Sequence, residues 1–268
     1  MSGGYYDGPD LTSTVAEALA AAGRPGPVEP DDLAALDEFH ALGRPATLAL
    51  ADLARIGAGE RVLDIGAGIG GPSRVLAHHY GAQVTAVDPT ERFRALNRFL
   101  CERSGMGDRV EIVAGDTGGL PFEDESFDVA WTQNVWQNIE DKGGAAEEIH
   151  RVLRPGGRFA MFEIVRGPGG DLHYPVPWAD GPEGSFVPDA GEFRALLADA
   201  GFTETVWRDV AEVQAAIQQA AQSSPHMSPG LPGVGIDLLM PDYEVRMAGI
   251  GRNVQERRIE IVQAVLSR

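Results

Sequence analysis

Arg61-Val62-Leu63-Asp64-Ile65-Gly66-Ala67-Gly68-Ile69-Gly70-Gly71-Pro72 is the stretch whose reading decides the fold. Val62, Leu63 and Ile65 predict a short buried strand. Four glycines in the six positions 66–71 then turn the chain. Glycine accepts positive φ and lets a ligand lie against the backbone. Pro72 suits the first turn of a helix, where a missing N–H costs nothing, and that helix is expected from Ser73 to Tyr80. Strand, glycine turn and helix together open a nucleotide-binding βαβ unit.

The glycine spacing alone is ambiguous, because Gly66, Gly68 and Gly71 also satisfy the dinucleotide pattern G-x-G-x-x-G. Charge separates the readings. A pyrophosphate needs exposed N–H donors, a helix N-terminus and no anion nearby. Here Asp64 stands two residues before the first glycine, and 66–72 carries no basic residue. The pattern disfavours NAD and suits S-adenosylmethionine (SAM), whose ammonium and sulfonium are cationic.

The 268 residues suffice for one α/β domain with additions. No apolar run reaches the length of a membrane span, and Met1 to Asp10 lacks the regions of a signal peptide. A single cysteine, Cys101, excludes an internal disulfide framework and fits a reducing cytoplasm. The formal net charge of −18 argues against nucleic acid and anionic membranes as partners. A small-molecule substrate, and at most a homodimer, is the partner set this leaves.

Residues 1–57 read as a helical cap, with helices expected at Thr12–Ala22 (capped by Thr12 or Ser13), from Asp31 or Asp32 towards His40, and at Arg44–Ile56. Residues 58–268 read as the α/β domain, with lid insertions around 166–188 and 211–257. Strand two, Gln83 to Val87, ends in Asp88-Pro89. Asp88 lies about twenty residues after the glycine turn, where an acid accepts the ribose hydroxyls; it can also cap the next helix. Strand three, Val110 to Ala114, is followed by Gly115-Asp116-Thr117, and a carboxylate there can meet the exocyclic amine of adenine. Strand four, Phe127 to Thr132, delivers Gln133, Asn134, Trp136 and Gln137 to the carboxyl end of the sheet, where open parallel sheets bind their ligands. Leu153 to Arg158 is expected as a turn into strand five, Phe159 to Ile164, which carries Glu163. Residues 222–235 read as a loop over the site or a disordered link, Pro241-Asp242 starts a helix through Met247, and Arg258 to Leu266 is ambiguous between strand and helix.

In order and spacing these motifs resemble the class I SAM-dependent methyltransferases. The residues that carry the likeness are Val62-Leu63-Asp64-Ile65-Gly66-Ala67-Gly68-Ile69-Gly70-Gly71, Asp88, Gly115-Asp116, Leu120-Pro121-Phe122, Ser126-Phe127-Asp128 and Leu153-Arg154-Pro155-Gly156-Gly157. The resemblance implies a Rossmann-like, doubly wound seven-stranded sheet with its last strand antiparallel. It places Asp64, Gly66, Gly68 and Gln133 at the methionine end of SAM, Asp88 and Pro89 at the ribose, and Asp116 and Thr117 at the adenine. More narrowly, Glu38-Phe39-His40, Asn138-Ile139-Glu140-Asp141-Lys142 and Pro175-Val176-Pro177-Trp178-Ala179 are similar to the sarcosine/dimethylglycine, sterol and ubiquinone-pathway group. Many members of that group have His where Asn134 stands.

Methyl transfer requires that the acceptor be held in line with the activated methyl group and that water be excluded. A base is needed only when the nucleophile holds its proton tightly. Tyr6, His40, Asn134 and His173 are the candidates for orientation or proton removal. Trp136, Gln137, Glu163 and Trp178 are the candidates for substrate contact, with packing as the competing role for each tryptophan. No metal signature is evident: the six histidines are scattered, and the side chains of the adjacent pair His78-His79 are expected to diverge on their helix. The reading is a methyltransferase for a small biosynthetic metabolite, accepting on nitrogen before carbon before oxygen. An NAD-dependent oxidoreductase and a non-catalytic SAM-binding protein are its rivals.

Overall fold

Arg61–Ile65 forms β1 in the centre of a seven-stranded sheet of order β3-β2-β1-β4-β5-β7-β6. It pairs in parallel with β2 (Gln83–Asp88) on one side and β4 (Phe127–Gln133) on the other. A strand paired on both edges and covered on both faces is mostly apolar; all of β1 after Arg61 is buried, with Asp64 its one polar residue there. β3 (Val110–Ala114) extends the sheet beyond β2. Beyond β4 come β5 (Leu153–Arg166), β7 (Ile259–Ser267) and β6 (Thr203–Arg208), with β7 antiparallel to both neighbours. The computed structural model describes residues 10–38, 40–240 and 242–268.

Side chains of β5 alternate between two cores, as the twofold period of a strand demands. Phe159 and Met161 pack with α6 (Lys142–Val152) and α7 (Ala190–Asp199). Ala160 and Phe162 pack on the other face with α3 (Arg44–Ala54), α4 (Gly71–His79) and α8 (Val210–Ser223). Asp128, at the start of β4, accepts the Arg61 N–H at 2.8 Å and ties the first strand pair at its amino end.

The amino-terminal helices depart from expectation at their ends, and α3 stops at Ala54 rather than Ile56. α1 is Leu11–Ala21, and its cap is Asp10, which accepts from Thr12 N at 2.9 Å, rather than Thr12 or Ser13. Leu11, Val15 and Leu19 recur at helical spacing and bury against Phe93, Leu96 and Leu100 of α5 (Glu91–Arg103). The second helix is a 3-10 turn, Pro30–Leu33, with a single turn of helix, α2 (Ala34–Asp37). It stops short of His40 because Glu38 leaves the helical region and the chain turns back over the sheet.

Three further differences lie in the second half. The glycine-rich run Leu153–Arg158 is the bulged start of β5, not a separate turn; the register jumps from Phe127↔Leu153 to Val129↔Arg158, with Gly156 at φ +77°. α9 spans Tyr243–Gln255, well past Met247. The segment 224–235 lies against the amino-terminal helices, with Ser228 Oγ donating to Asp31 O at 2.9 Å and Leu231 N to Asp32 O at 2.8 Å.

Candidate active site

The carboxyl ends of β1 and β2 make the first half of the site. The glycines of the turn divide by task. A Cβ on Gly70 would fall 2.1 Å from Asn97 Oδ1, and one on Gly71 would fall 1.9 Å from Asp37 O. Those two glycines let α5 and α2 approach the turn. Gly66 and Gly68 have φ of +68° and +54°, and a Cβ on Gly68 would meet open space. Gly68 is therefore the bare, accessible backbone of the turn.

Asp88 holds that backbone in place. One carboxylate oxygen accepts Gly68 N at 2.8 Å, and the other accepts Thr90 N at 2.8 Å, at the start of α5. The helix-end role and the site role thus meet in one side chain. Burial pushes the Asp88 carboxyl up, against the pull of these N–H groups. Asp64, 2 % exposed, accepts Ser73 Oγ at 2.5 Å. Burial raises it to about 7; the Ser73 hydroxyl opposes this, and the neighbouring Asp88 adds to it. Two buried carboxyls flank a turn without basic residues, which fits a cationic ligand and not a pyrophosphate. Asp116 is exposed and accepts Gly118 N at 2.8 Å; Thr117 is half-buried and Pro89 exposed. The pairing of Asp88 with Ala114 brings 116–117 to the same edge.

The second half lies beyond β4. Gln133 Oε1 accepts from Trp131 Nε1 at 3.1 Å and Thr47 Oγ1 at 3.2 Å. His40 Nε2 lies 2.9 Å from Thr47 Oγ1 and 3.0 Å from Glu38 Oε2, and His40 Nδ1 lies 3.1 Å from Ala41 O. Both imidazole nitrogens therefore face protein oxygens. Ala41 N donates to Asn134 Oδ1 at 2.6 Å, and Gln137 Nε2 donates to Asn134 O at 2.5 Å. Asn134 has φ +53°, a left-handed conformation that Asn tolerates better than most residues. Asn134 Nδ2, Gln137 Oε1 and Glu163 Oε1 are buried without a hydrogen-bond partner among the described residues.

Glu163, fully buried, accepts Val135 N at 2.9 Å and Trp136 N at 3.3 Å through Oε2. Burial lifts its carboxyl to about 8, with these donors and Thr132 pulling the other way. It is mainly a protonated anchor for the β4 exit. Trp136 is corrected outright: it is completely buried against Phe159 and Phe193 and donates to Thr132 Oγ1, so it is core. Its bulk on the α6–α7 face outweighs its position beside the site. Trp178 packs with Ile164 and Val176, and its indole N–H donates to Ser185 Oγ at 2.9 Å. His173 is held by α9, with Nε2 2.8 Å from Glu256 and main-chain bonds to Asn253. Tyr6 lies outside the described residues.

Sequence reasoning missed Thr47 and Lys142. Thr47 is the buried hydroxyl among apolar neighbours of α3, a mismatch visible in the sequence. Lys142 Nζ donates to Ile139 O and lies 5.8 Å from the Phe186 ring; burial brings it down to about 8. His78 and His79 do not diverge: their ring centroids are 4.5 Å apart, because the helix ends there and His79 turns to Asp31.

Residues 63–161 match the family model described as a methyltransferase domain. With the sheet order and the glycine turn, the match makes the chain similar to the class I SAM-dependent methyltransferases, and SAM is the cofactor the site fits. The sarcosine/dimethylglycine N-methyltransferase of Halorhodospira halochloris is 31% identical over 166 residues, 58% of this chain and 56% of that protein. The sterol 24-C-methyltransferase of Saccharomyces cerevisiae is 30% identical over 171 residues, 61% of this chain and 44% of that protein. The chain thus matches only about half the length of these curated relatives. Two solved structures share the fold. A [4+2]-cyclase, SpnF, covers 97% of this chain and 93% of its own at a TM-score of 0.64 and 21% identity. A sarcosine dimethylglycine methyltransferase, so described putatively, from Galdieria sulphuraria covers 84% of each chain at a TM-score of 0.63 and 19% identity.

Proposed function

We propose that the protein is an enzyme that methylates a small biosynthetic metabolite, on nitrogen in preference to carbon or oxygen. The observation that carries this reading is the group of unpaired polar atoms at the β4 exit. Buried polar atoms are nearly always satisfied, yet Asn134 Nδ2, Gln137 Oε1 and Glu163 Oε1 have no partner among the described residues. They offer two donors, the Asn134 amide and the protonated Glu163 carboxyl, and one accepting oxygen to a polar acceptor. SAM, when bound, supplies a methyl group already activated by its sulfonium. The residues that would hold it are Gly66, Gly68 and Asp64 at the methionine end, Asp88 and Pro89 at the ribose, and Asp116 and Thr117 at the adenine, with Gln133 facing the acceptor.

The preference for nitrogen rests on proton chemistry. His40 has both nitrogens turned to protein oxygens, and Glu163 is held largely protonated at neutral pH. Neither is poised as a strong base. An amine needs only to lose its ammonium proton, which burial itself favours. A phenol or a carbon acid would need a base. His40, Asn134 and Gln137 then act by orientation. The relatives' names span an N-methyltransferase and a sterol C-methyltransferase, so the acceptor class is a matter for measurement.

The test is calorimetric titration with S-adenosylhomocysteine and with NADH, followed by an acceptor screen that begins with amines. Binding of S-adenosylhomocysteine alone, then turnover of an amine, is expected. Binding of NADH alone would replace the reading with an oxidoreductase. A second reading has one observation in its favour: the fold match to a [4+2]-cyclase over nearly the whole chain. S-adenosylhomocysteine binding with no methyl transfer to any acceptor would favour that non-methylating use of the fold.

A further inference from the structure

We propose a transition-metal site, distinct from the SAM site, formed by Asp31, His78 and His79. The three residues come from the 3-10 turn of the cap and the last turn of α4, and their donor atoms all lie within 4.8 Å of one another. His79 Nε2 is already 3.0 Å from Asp31 Oδ1. A metal would replace the proton between them and draw in the second imidazole. The crevice the three residues line with Pro30, Arg44 and Val75 is narrow and opens at the exposed His78, which suits a single ion with a water from solvent.

The surroundings suit that ion. Asp31 and His79 are half-buried and His78 is exposed, so the three donors sit at the mouth of the crevice. His226, carried on the segment that packs against the cap, stacks on His79 with centroids 4.2 Å apart and fixes its ring. Two imidazoles and one carboxylate match Zn2+, Ni2+ or Cu2+, and discriminate against Mg2+ and Ca2+, which prefer oxygen. A water would complete the tetrahedron. Arg44 bridges Asp31 to Glu38, with contacts of 2.5 and 3.0 Å, and Glu38 meets His40. The site therefore anchors the part of the cap that faces the acceptor.

The experiment is a titration of tag-free, full-length protein with Zn2+ against a chromophoric chelator, repeated for His78→Ala and His79→Ala. One Zn2+ per chain is expected, with the affinity reduced at least about 30-fold in each variant. Mg2+ should not compete. The thermal midpoint of the wild type should rise with Zn2+, and that of His78→Ala should not; His78 is exposed, so its loss leaves the fold intact. Absence of stoichiometric Zn2+ binding, or equal binding by His78→Ala, would overturn the proposal. Titration of the same samples with S-adenosylhomocysteine separates the outcome from the SAM reading.

Discussion

Along the carboxyl edge of the sheet, the β1–β2 half is made of backbone and the β4–β5 half of side chains. In the first, glycines present N–H groups, and Asp88 fixes Gly68 from twenty residues away. In the second, Asn134 is held by Ala41 and Gln133 by Thr47, over separations of 93 and 86 residues. Backbone architecture tolerates few sequences and suits a constant ligand. Side-chain architecture drawn from a distant cap can be rebuilt for different acceptors. The first half is thus held by backbone packed on backbone with Asp88 as its brace, and the second by side chains that meet across the chain.

The largest effect should come from breaking the backbone half. A methyl on Gly71 would collide with Asp37 O, and neither atom belongs to a flexible side chain. Gly71→Ala is expected to destabilise by about 3 kcal/mol or more, read in a denaturant melt. Gly68→Ala meets no neighbour but takes a φ of +54°, so its cost should be only about 1–2 kcal/mol. Its larger consequence should be on S-adenosylhomocysteine affinity. Equal stabilities for the two variants would erase the division of labour between the glycines.

Asp88 tests the same half at the ligand. Asp88→Ala removes a buried acceptor from the Gly68 N–H and from the expected ribose. Charged hydrogen bonds contribute about 1.5–3 kcal/mol, so S-adenosylhomocysteine binding should weaken by about 10–100-fold. Folding should fall by only about 1 kcal/mol, as for a lost helix cap. An unchanged dissociation constant would remove Asp88 from the site.

This contrast also explains what the sequence made legible. The glycine turn and the strand that ends in Asp88 are local patterns, and each was readable because spacing along the chain determines position. The antiparallel last strand came through the resemblance. What stayed hidden depends on contacts across the chain. Trp136 reads as a site residue from its place after β4, but a single 3-10 turn rotates it into the core. Thr47 shows in the sequence only as a hydroxyl among apolar neighbours, and acquires a partner when α3 lies on Gln133. Glu163 reads as a substrate contact, and only the fold shows one of its two carboxyl oxygens taken by the Val135 and Trp136 N–H groups.

The side-chain half can be probed through pH. Glu163 titrates near 8 when folded and near ~4.3 when unfolded. The folded state therefore holds a proton that the unfolded state has released between these values. Stability from this group is complete below the lower value and is lost as pH rises through the upper one, at up to about 1 kcal/mol per pH unit. Glu163→Gln should flatten that part of the stability profile between pH 5 and 8. Asp64, raised to about 7, has the same sign and should leave a residual slope. Parallel profiles for wild type and variant would mean that Glu163 is ionised and already paired.

Asn134 gives the smallest effect and separates two reasons for one residue. Its φ of +53° favours glycine, while its Oδ1 accepts the Ala41 N–H and ties the cap to β4. Asn134→Gly relieves the backbone and loses the tie; Asn134→Ala loses the tie and keeps the strain. Ala should therefore be less stable than Gly by about 1 kcal/mol. Both should lose the orientation that Asn134 gives the acceptor, so KM for the acceptor should rise together while S-adenosylhomocysteine affinity stays constant. If the glycine variant keeps wild-type KM, the left-handed turn alone shapes the acceptor side, and the amide contributes nothing to it. If cofactor affinity falls with acceptor affinity, the two halves of the edge are one unit, and the cap reaches the glycine turn through β4.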